Sequence, residues 1–243
     1  MWRIVGAHSP EGGSFEIIQR PDMLLVRSRV VQRVPHMVLD PQPGDVPASR
    51  WAAAMVNELG RDPVSILVGL PPGMERGPLV GALLGEGFQR ATRPAFAMAM
   101  VLDGPPPPAP DQAISIALKP AELDEARALL ARVFGLPATV FAFYTPPQLV
   151  STYVLRVRGV AVGATCLCSN GRSAGIYSVG VVPTMRGRGY ARRLVRHALA
   201  DAARLGLNLA VLTCERRLIP FYEQLGFTAC WELHTYWLEA WWR

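Results

Sequence analysis

Lysine is almost missing from this chain: Lys119 is the only one, and arginine carries the rest of the basic charge. Paired metal ligands are missing too. Cys166, Cys168, Cys214 and Cys230 give one C-x-C and two singles, and the four histidines form no HxxxH or HxH. Neither pattern has zinc-knuckle spacing, so no metal site is expected. Cys166 and Cys168 lie two apart in a strand-like run and share a face, which reads as buried, reduced thiol. No stretch approaches the roughly 18 uncharged apolar residues of a membrane span. The opening MWRIVGAHSPEGG lacks an apolar core of signal-peptide length. The expectation is a soluble, cytoplasmic protein with no membrane partner.

The net charge is +6, and much of the excess sits between Arg186 and Arg196. That is a local anion site more than a broad basic stripe. No nucleic-acid module accompanies it, and no aromatic residues interleave with the arginines of the basic helix, so nucleic acid is not expected as a partner.

Half of the 243 residues are hydrophobic, enough for a folded core in one large domain or two modest ones. The clearest break is DGPPPPAPDQ, 103–112, since a proline run cannot enter a helix or central strand and prefers stiff extended chain. Three segments follow: an N-terminal domain over 1–104, a proline-rich linker over 105–112 and a second domain over 113–243. In the second, 113–119 alternates like a strand, and PAELDEARALLARVFG has proline and acids at a helix start with glycine past its end. STYVLRVRG and VAVGATCLCSNG read as strands joined at Arg158-Gly159. AGIYSVGVV is a further strand. A helix over 190–205 places Leu194, Ala198, Ala202 and Leu205 on one side, with Gly206 beyond it. NLAVLTC is a buried-type strand, RLIPFYEQL a short helix, and FTACWELHTYWLEA a last strand or pair.

The stretch VVPTMRGRGYARRLV, 181–195, sets a glycine-rich corner between a strand and a helix. Unpaired amides point outward at such a corner, which is either an arginine-rich turn or a phosphate cradle.

Residues 113 to about 240 resemble the GNAT superfamily of N-acetyltransferases. The resemblance rests on V-x-P-x-x-R-G-x-G-x-A (Val181, Pro183, Arg186, Gly187, Gly189, Ala191), on the helix–strand unit ending AVLTC, and on FYEQLGF at 221–227. It implies a mixed α/β acyltransferase fold with a splayed central sheet, acetyl-coenzyme A as cosubstrate, and an amine-bearing small molecule or peptide as acceptor. A second copy of the chain is admitted as a partner. The cradle would comprise Arg186, Gly187, Arg188, Gly189, Tyr190 and Ala191, with Val179 and Val181 offering a strand edge to pantetheine. Tyr222 would stabilise or protonate the departing thiolate. Glu215 stands where many relatives have asparagine; it could orient the amine, act as base, or be a solvated loop residue. A non-catalytic coenzyme A binding or regulatory module is the alternative. FAFY at 141–144 reads as core packing or as an apolar wall for the acceptor.

The N-terminal part echoes the same order. ASRWAAAMVNELGRDPVSILVGL, 48–70, repeats helix–glycine–strand, and 78–100 parallels the FYEQLGF region. No RxxGxG occurs between Pro41 and Ala48, and Leu83 stands in the place of the tyrosine. A degenerate GNAT-like unit without the chemistry is expected there.

Overall fold

The computed structural model describes residues 15–28, 35–60, 64–92, 94–103, 111–138, 140–141, 150–169 and 171–239, without the side chains of Phe15 and Ile17. Most of the proline-rich stretch, including Pro105–Pro108, and 142–144 of the FAFY segment lie outside them. By residue contacts the chain groups into two compact units. One is Ala97–Cys230; the other combines the described residues through Phe96 with those from Trp231 onward. The boundary expected at 105–112 falls largely outside the described residues.

The first unit contains β7 (Ile114–Ile116), α3 (Pro120–Phe134), β8 (Val150–Val157), β9 (Val160–Ser169), β10 (Ser173–Val181), α4 (Tyr190–Arg204), β11 (Leu209–Glu215) and α5 (Ile219–Glu223). Its strands run in the order β11-β10-β9-β8-β7, antiparallel except for the parallel pair β10–β11, which α4 connects. A parallel pair requires such a crossover. The β8–β9 hairpin turns at Arg158 (φ 52°) and Gly159 (φ 79°), the left-handed pair that suits the twist of the flanking strands. Helix α3 begins at Pro120, and the Glu122 carboxylate accepts the amides of Leu118 (2.9 Å) and Lys119 (3.1 Å). It ends on left-handed Gly135.

The apolar stripe of α4 buries Leu194, Ala198 and Ala202 completely, as its spacing requires. Leu205 departs from expectation: it is 64% exposed. Gly206, at φ 73°, reverses the chain so that the Leu207 amide returns to the Ala202 carbonyl (3.1 Å), and Leu207 is buried instead. The helix-closing turn exchanges one leucine for the next.

A strand from before the proline-rich stretch completes this sheet. β6 (Ala95–Val101), from Ala97 onward, lies beside β11. Met98 is 1% exposed within the same core as Tyr153, Leu194 and Tyr222, and its sulfur accepts the Cys214 thiol at 3.5 Å.

The second unit repeats the plan. β1 (Phe15–Gln19), β2 (Leu24–Ser28) and β3 (His36–Leu39) are antiparallel neighbours. α1 (Ala48–Leu59) then crosses to β4 (Ile66–Leu70), which pairs parallel with β3. This is the sequence of pairings found in β8, β9, β10, α4 and β11. α2 (Pro78–Gly85) occupies the place of α5, followed by the two-residue β5 (Gln89–Arg90). The last strand of the chain, β12 (Thr228–Leu238), closes this unit by pairing antiparallel with β4, from His234↔Leu70 to Leu238↔Ile66. Trp51, Leu59, Leu83 and Tyr236 share its core. Among the described residues no helix is long and apolar enough to cross a membrane.

Candidate active site

The parallel pair β10–β11 is hydrogen-bonded only at its start, through Ser173↔Leu209, Ala174↔Ala210 and Gly175↔Val211. Beyond that point the two strands part. A local fault in β10 accompanies the parting. Tyr177 faces Cys166 and Gly180 faces Ala164, so three steps on β10 match two on β9. The extra residue is a bulge, and Ser178 takes the left-handed φ of 52°. The Thr165 hydroxyl donates to the Tyr177 carbonyl at 3.0 Å, satisfying it within the irregular stretch. Close approach fixes both sides of the bulge. A Cβ on Gly163 would lie 2.9 Å from the Gly180 carbonyl oxygen, and one on Gly180 would lie 3.0 Å from Leu130 of α3.

These faults leave polar backbone facing the gap. Val182 donates to the Val162 carbonyl at 2.9 Å, so the preceding pair, Val181 with Gly163, is the non-hydrogen-bonded kind. The Val181 amide and carbonyl therefore point away from β9. Arg186 Nε donates to that carbonyl at 3.1 Å, which leaves the amide. Val179 is half-buried and Val181 buried, and both pack against the core that holds Tyr222.

Past β10 the chain makes a single 3-10 turn, Pro183–Met185, and reaches the glycine corner. Gly187 (φ 75°) and Gly189 (φ 77°) are left-handed, which a side chain resists. A Cβ on either would meet nothing within 4 Å, so conformation and open space, not crowding, call for glycine here. Gly189 caps α4, whose first bond across the cap is Arg193 N to Gly189 O at 3.1 Å. Among the described residues the amides of Gly187 through Arg192 have no hydrogen-bond partner, and they converge at the positive end of the helix dipole.

The arginines divide their roles. Arg186 is tied to Val181, and Arg192 donates to the Gln224 side chain just beyond α5. Arg193 grips Asp111 with two bonds (2.6 and 2.8 Å) and lies 5.6 Å from the Tyr190 ring centroid. That guanidinium holds the Asp111 carboxyl below its usual range. Arg188 is exposed and has no partner among the described residues. Tyr190 and Ala191, in the first turn of α4, are half-buried.

Tyr222 is 7% exposed on α5 and stands edge-on to Phe221 (4.9 Å) and Phe227 (6.0 Å). Burial, reinforced by the nearby Cys214 thiol, pushes its phenol up to about 12. The hydroxyl has no hydrogen-bond partner among the described residues, so the ring is fixed while its proton stays available to donate. Glu215, the last residue of β11, accepts Arg217 Nε at 2.7 Å and is 42% exposed. Among the described residues no cluster of metal-ligating side chains exists.

Among its described residues, the second unit lacks the parted strands, the open amide corner and the tyrosine. β3 and β4 stay paired from His36↔Ile66 to Leu39↔Gly69, so no gap opens. The loop after β3 carries Pro41, Pro43 and Pro47, which have no amides, and the Gln42 and Val46 amides are taken by the Asp22 and Pro43 carbonyls. Leu83 is fully buried.

Two features were not legible in the sequence. One is the Arg186–Val181 bond; the other is the bulge, for which the glycine in SVGVV was the available signal.

The parallel pair thus parts beside an open corner of backbone amides that are unpartnered among the described residues. Residues 122–227 match the model of the Acetyltransferase (GNAT) family, and this part of the chain is a GNAT acetyltransferase domain. The fold is shared with a GCN5-related N-acetyltransferase from Kribbella flavida (TM-score 0.66, 17% identity, covering 92% of this chain and 89% of that one). A GCN5-related N-acetyltransferase from Sphaerobacter thermophilus is also similar (TM-score 0.64, 20% identity, 90% and 81% covered). So is a tandem GNAT protein from the clavulanic acid biosynthesis pathway (TM-score 0.62, 18% identity, 90% and 78% covered). No curated protein matches the chain by sequence.

Proposed function

We propose that the unit Ala97–Cys230 is an acetyl-coenzyme A dependent N-acetyltransferase acting by direct attack of an acceptor amine. The observation that carries this reading is the parting of β10 from β11 after Gly175 and Val211, beside the unpartnered amides of Gly187–Arg192. A diphosphate needs several donors and little steric hindrance, and the corner offers both. Arg188 adds charge, while Arg186 holds the strand end. An amide-rich pantetheine arm suits the free edge of β10 at Val179 and Val181, as an added strand would.

The bound cosubstrate would supply an acetyl thioester already activated toward amines. The neutral phenol of Tyr222 can donate to a departing sulfur throughout the neutral range, because its proton is held to about 12. Glu215, next to Arg217, can take the proton the amine gives up, directly or through water. The acceptor is an amine-bearing small molecule or peptide, and neither nucleic acid nor a membrane enters the scheme. A cytoplasmic setting, where acetyl-coenzyme A is made and used, fits it.

Release of free thiol from acetyl-coenzyme A across a panel of amines tests the reading. Acceleration by at least one amine is expected, with a single coenzyme A site per chain by calorimetry. Binding without thiol release would leave a coenzyme A binding module. No binding at all, or two equal sites, would overturn the proposal.

A further inference from the structure

A side chain that caps a helix start accepts one of the first-turn amides. A helix that keeps those amides open for an anion therefore cannot be capped in that way. Helix α4 follows this rule. Gly189 brings no capping side chain, and among the described residues nothing accepts the amides of Gly187 through Arg192. Helix ends without a cap fray, and a ligand that must first order the turn binds more weakly.

The order is supplied from outside the turn. Arg193 gives its Nε and one terminal nitrogen to the two carboxylate oxygens of Asp111, at 2.6 and 2.8 Å. Asp111 is itself built into the end of the sheet. Its Oδ1 also accepts the Ala113 amide at 3.0 Å, and its carbonyl accepts the Ile114 amide at 2.9 Å. The Ala113 carbonyl in turn accepts the Arg156 amide of β8 at 2.8 Å. The guanidinium held in this way lies 5.6 Å from the centroid of the Tyr190 ring, within cation–π reach. Tyr190 is the first residue of α4, so backbone bonds of β8 run through Asp111 and Arg193 into the cradle.

Two other readings fit less well. Fold stability is a weak reason for the pair, because Arg193 is 41% and Asp111 28% exposed, and such pairs contribute little. Direct phosphate binding by Arg193 is opposed by the carboxylate, which takes the guanidinium fork and offsets its charge. We propose, on the coenzyme A reading of the corner, that Asp111 and Arg193 are positioning residues. They hold the first turn of α4 ready for the diphosphate, and neither touches it.

Asp111→Asn in the full chain separates positioning from phosphate binding by sign. The variant keeps an acceptor for the Ala113 amide and removes the charge that fixes Arg193. Positioning predicts that coenzyme A affinity, measured by calorimetry, falls about tenfold. In the thiol-release assay the KM for acetyl-coenzyme A should rise by the same factor, with kcat near the parent's. Arg193→Lys keeps the charge but loses the fork, and should lose about as much. Asp111→Glu restores the carboxylate and should recover part of the affinity. The control is Glu125→Gln, which breaks the two-bond pair between Arg156 and Glu125 and should bind coenzyme A like the parent. Tighter binding by Asp111→Asn would make Arg193 a phosphate ligand and overturn the proposal. So would parental affinity, a loss matched by Glu125→Gln, or a fall in kcat with KM unchanged. Failure of the parent chain to bind coenzyme A would instead overturn the transferase reading, and this proposal with it.

Discussion

Replacing Gly189 by alanine separates a strained turn from a blocked ligand. The residue sits at φ 77°, where a Cβ costs about 1–2 kcal/mol of backbone strain. Nothing lies within 4 Å of where the Cβ would go, so no steric term inside the protein adds to it. For a chain of this length each kcal/mol lowers the melting midpoint by about 2–4 °C, so a fall of about 2–8 °C is expected. Coenzyme A affinity should fall much further. The new methyl would occupy the open space over the Gly187–Arg192 amides, and each charge-assisted bond a displaced phosphate loses is worth about 1.5–3 kcal/mol, or tenfold and more in affinity. Gly159→Ala is the matched control. It has φ 79° and open space in the β8–β9 turn, and should show the same thermal loss with unchanged coenzyme A binding. Calorimetric titration of both variants and a thermal melt of each complete the experiment. If Gly189→Ala binds coenzyme A as tightly as Gly159→Ala, the corner is only a turn and the cradle reasoning fails.

Tyr222→Phe keeps the edge-on packing against Phe221 and Phe227 and removes only the donor; turnover should drop about a hundredfold with coenzyme A affinity unchanged, and a variant as fast as the parent would exclude the phenol. His197 packs edge-on to Tyr153, 5.2 Å away, and is 8% exposed; burial and nearby Arg204 lower its pKa against an opposing pull from Asp111, while Asp201 lies 3.9 Å from its Nε2. The unfolded chain then binds the proton first, so stability should be flat above about pH 6.5 and fall as pH drops from there toward the folded value. Urea midpoints for parent and His197→Gln across that window should show the slope only in the parent; equal slopes would reject the assignment. Deleting residues 1–110 removes β6 from beside β11, baring a strand edge and emptying the site of Met98; the product should aggregate, and a soluble, fully active fragment would refute this.

The local elements of this protein follow from its sequence. Proline and Glu122 start α3, Gly135 ends it, Arg158-Gly159 turns the hairpin, and the stripe of Leu194, Ala198 and Ala202 orients α4. Each is set by residues within a few positions of one another, which is why spacing alone reveals it. The corner was legible for the same reason: left-handed glycines announce backbone that side chains could not adopt. The repeat of helix, glycine and strand near Ala48 likewise corresponds to a second parallel pair. Pairing between distant segments is different, because it depends on which edges and faces remain once the elements form. Nothing near Ala95 or Thr228 tells that β6 completes the sheet of β11 while β12 closes that of β4. The same holds for the gap. Gly163, Gly180 and Ser178 open β10 away from β11 only through contacts with α3, α4 and β9. Arg186 was expected at a phosphate, and only the folded chain brings it to the Val181 carbonyl. Local chemistry thus decided what each segment becomes, and burial and backbone hydrogen bonding between remote segments decided where the cleft opens.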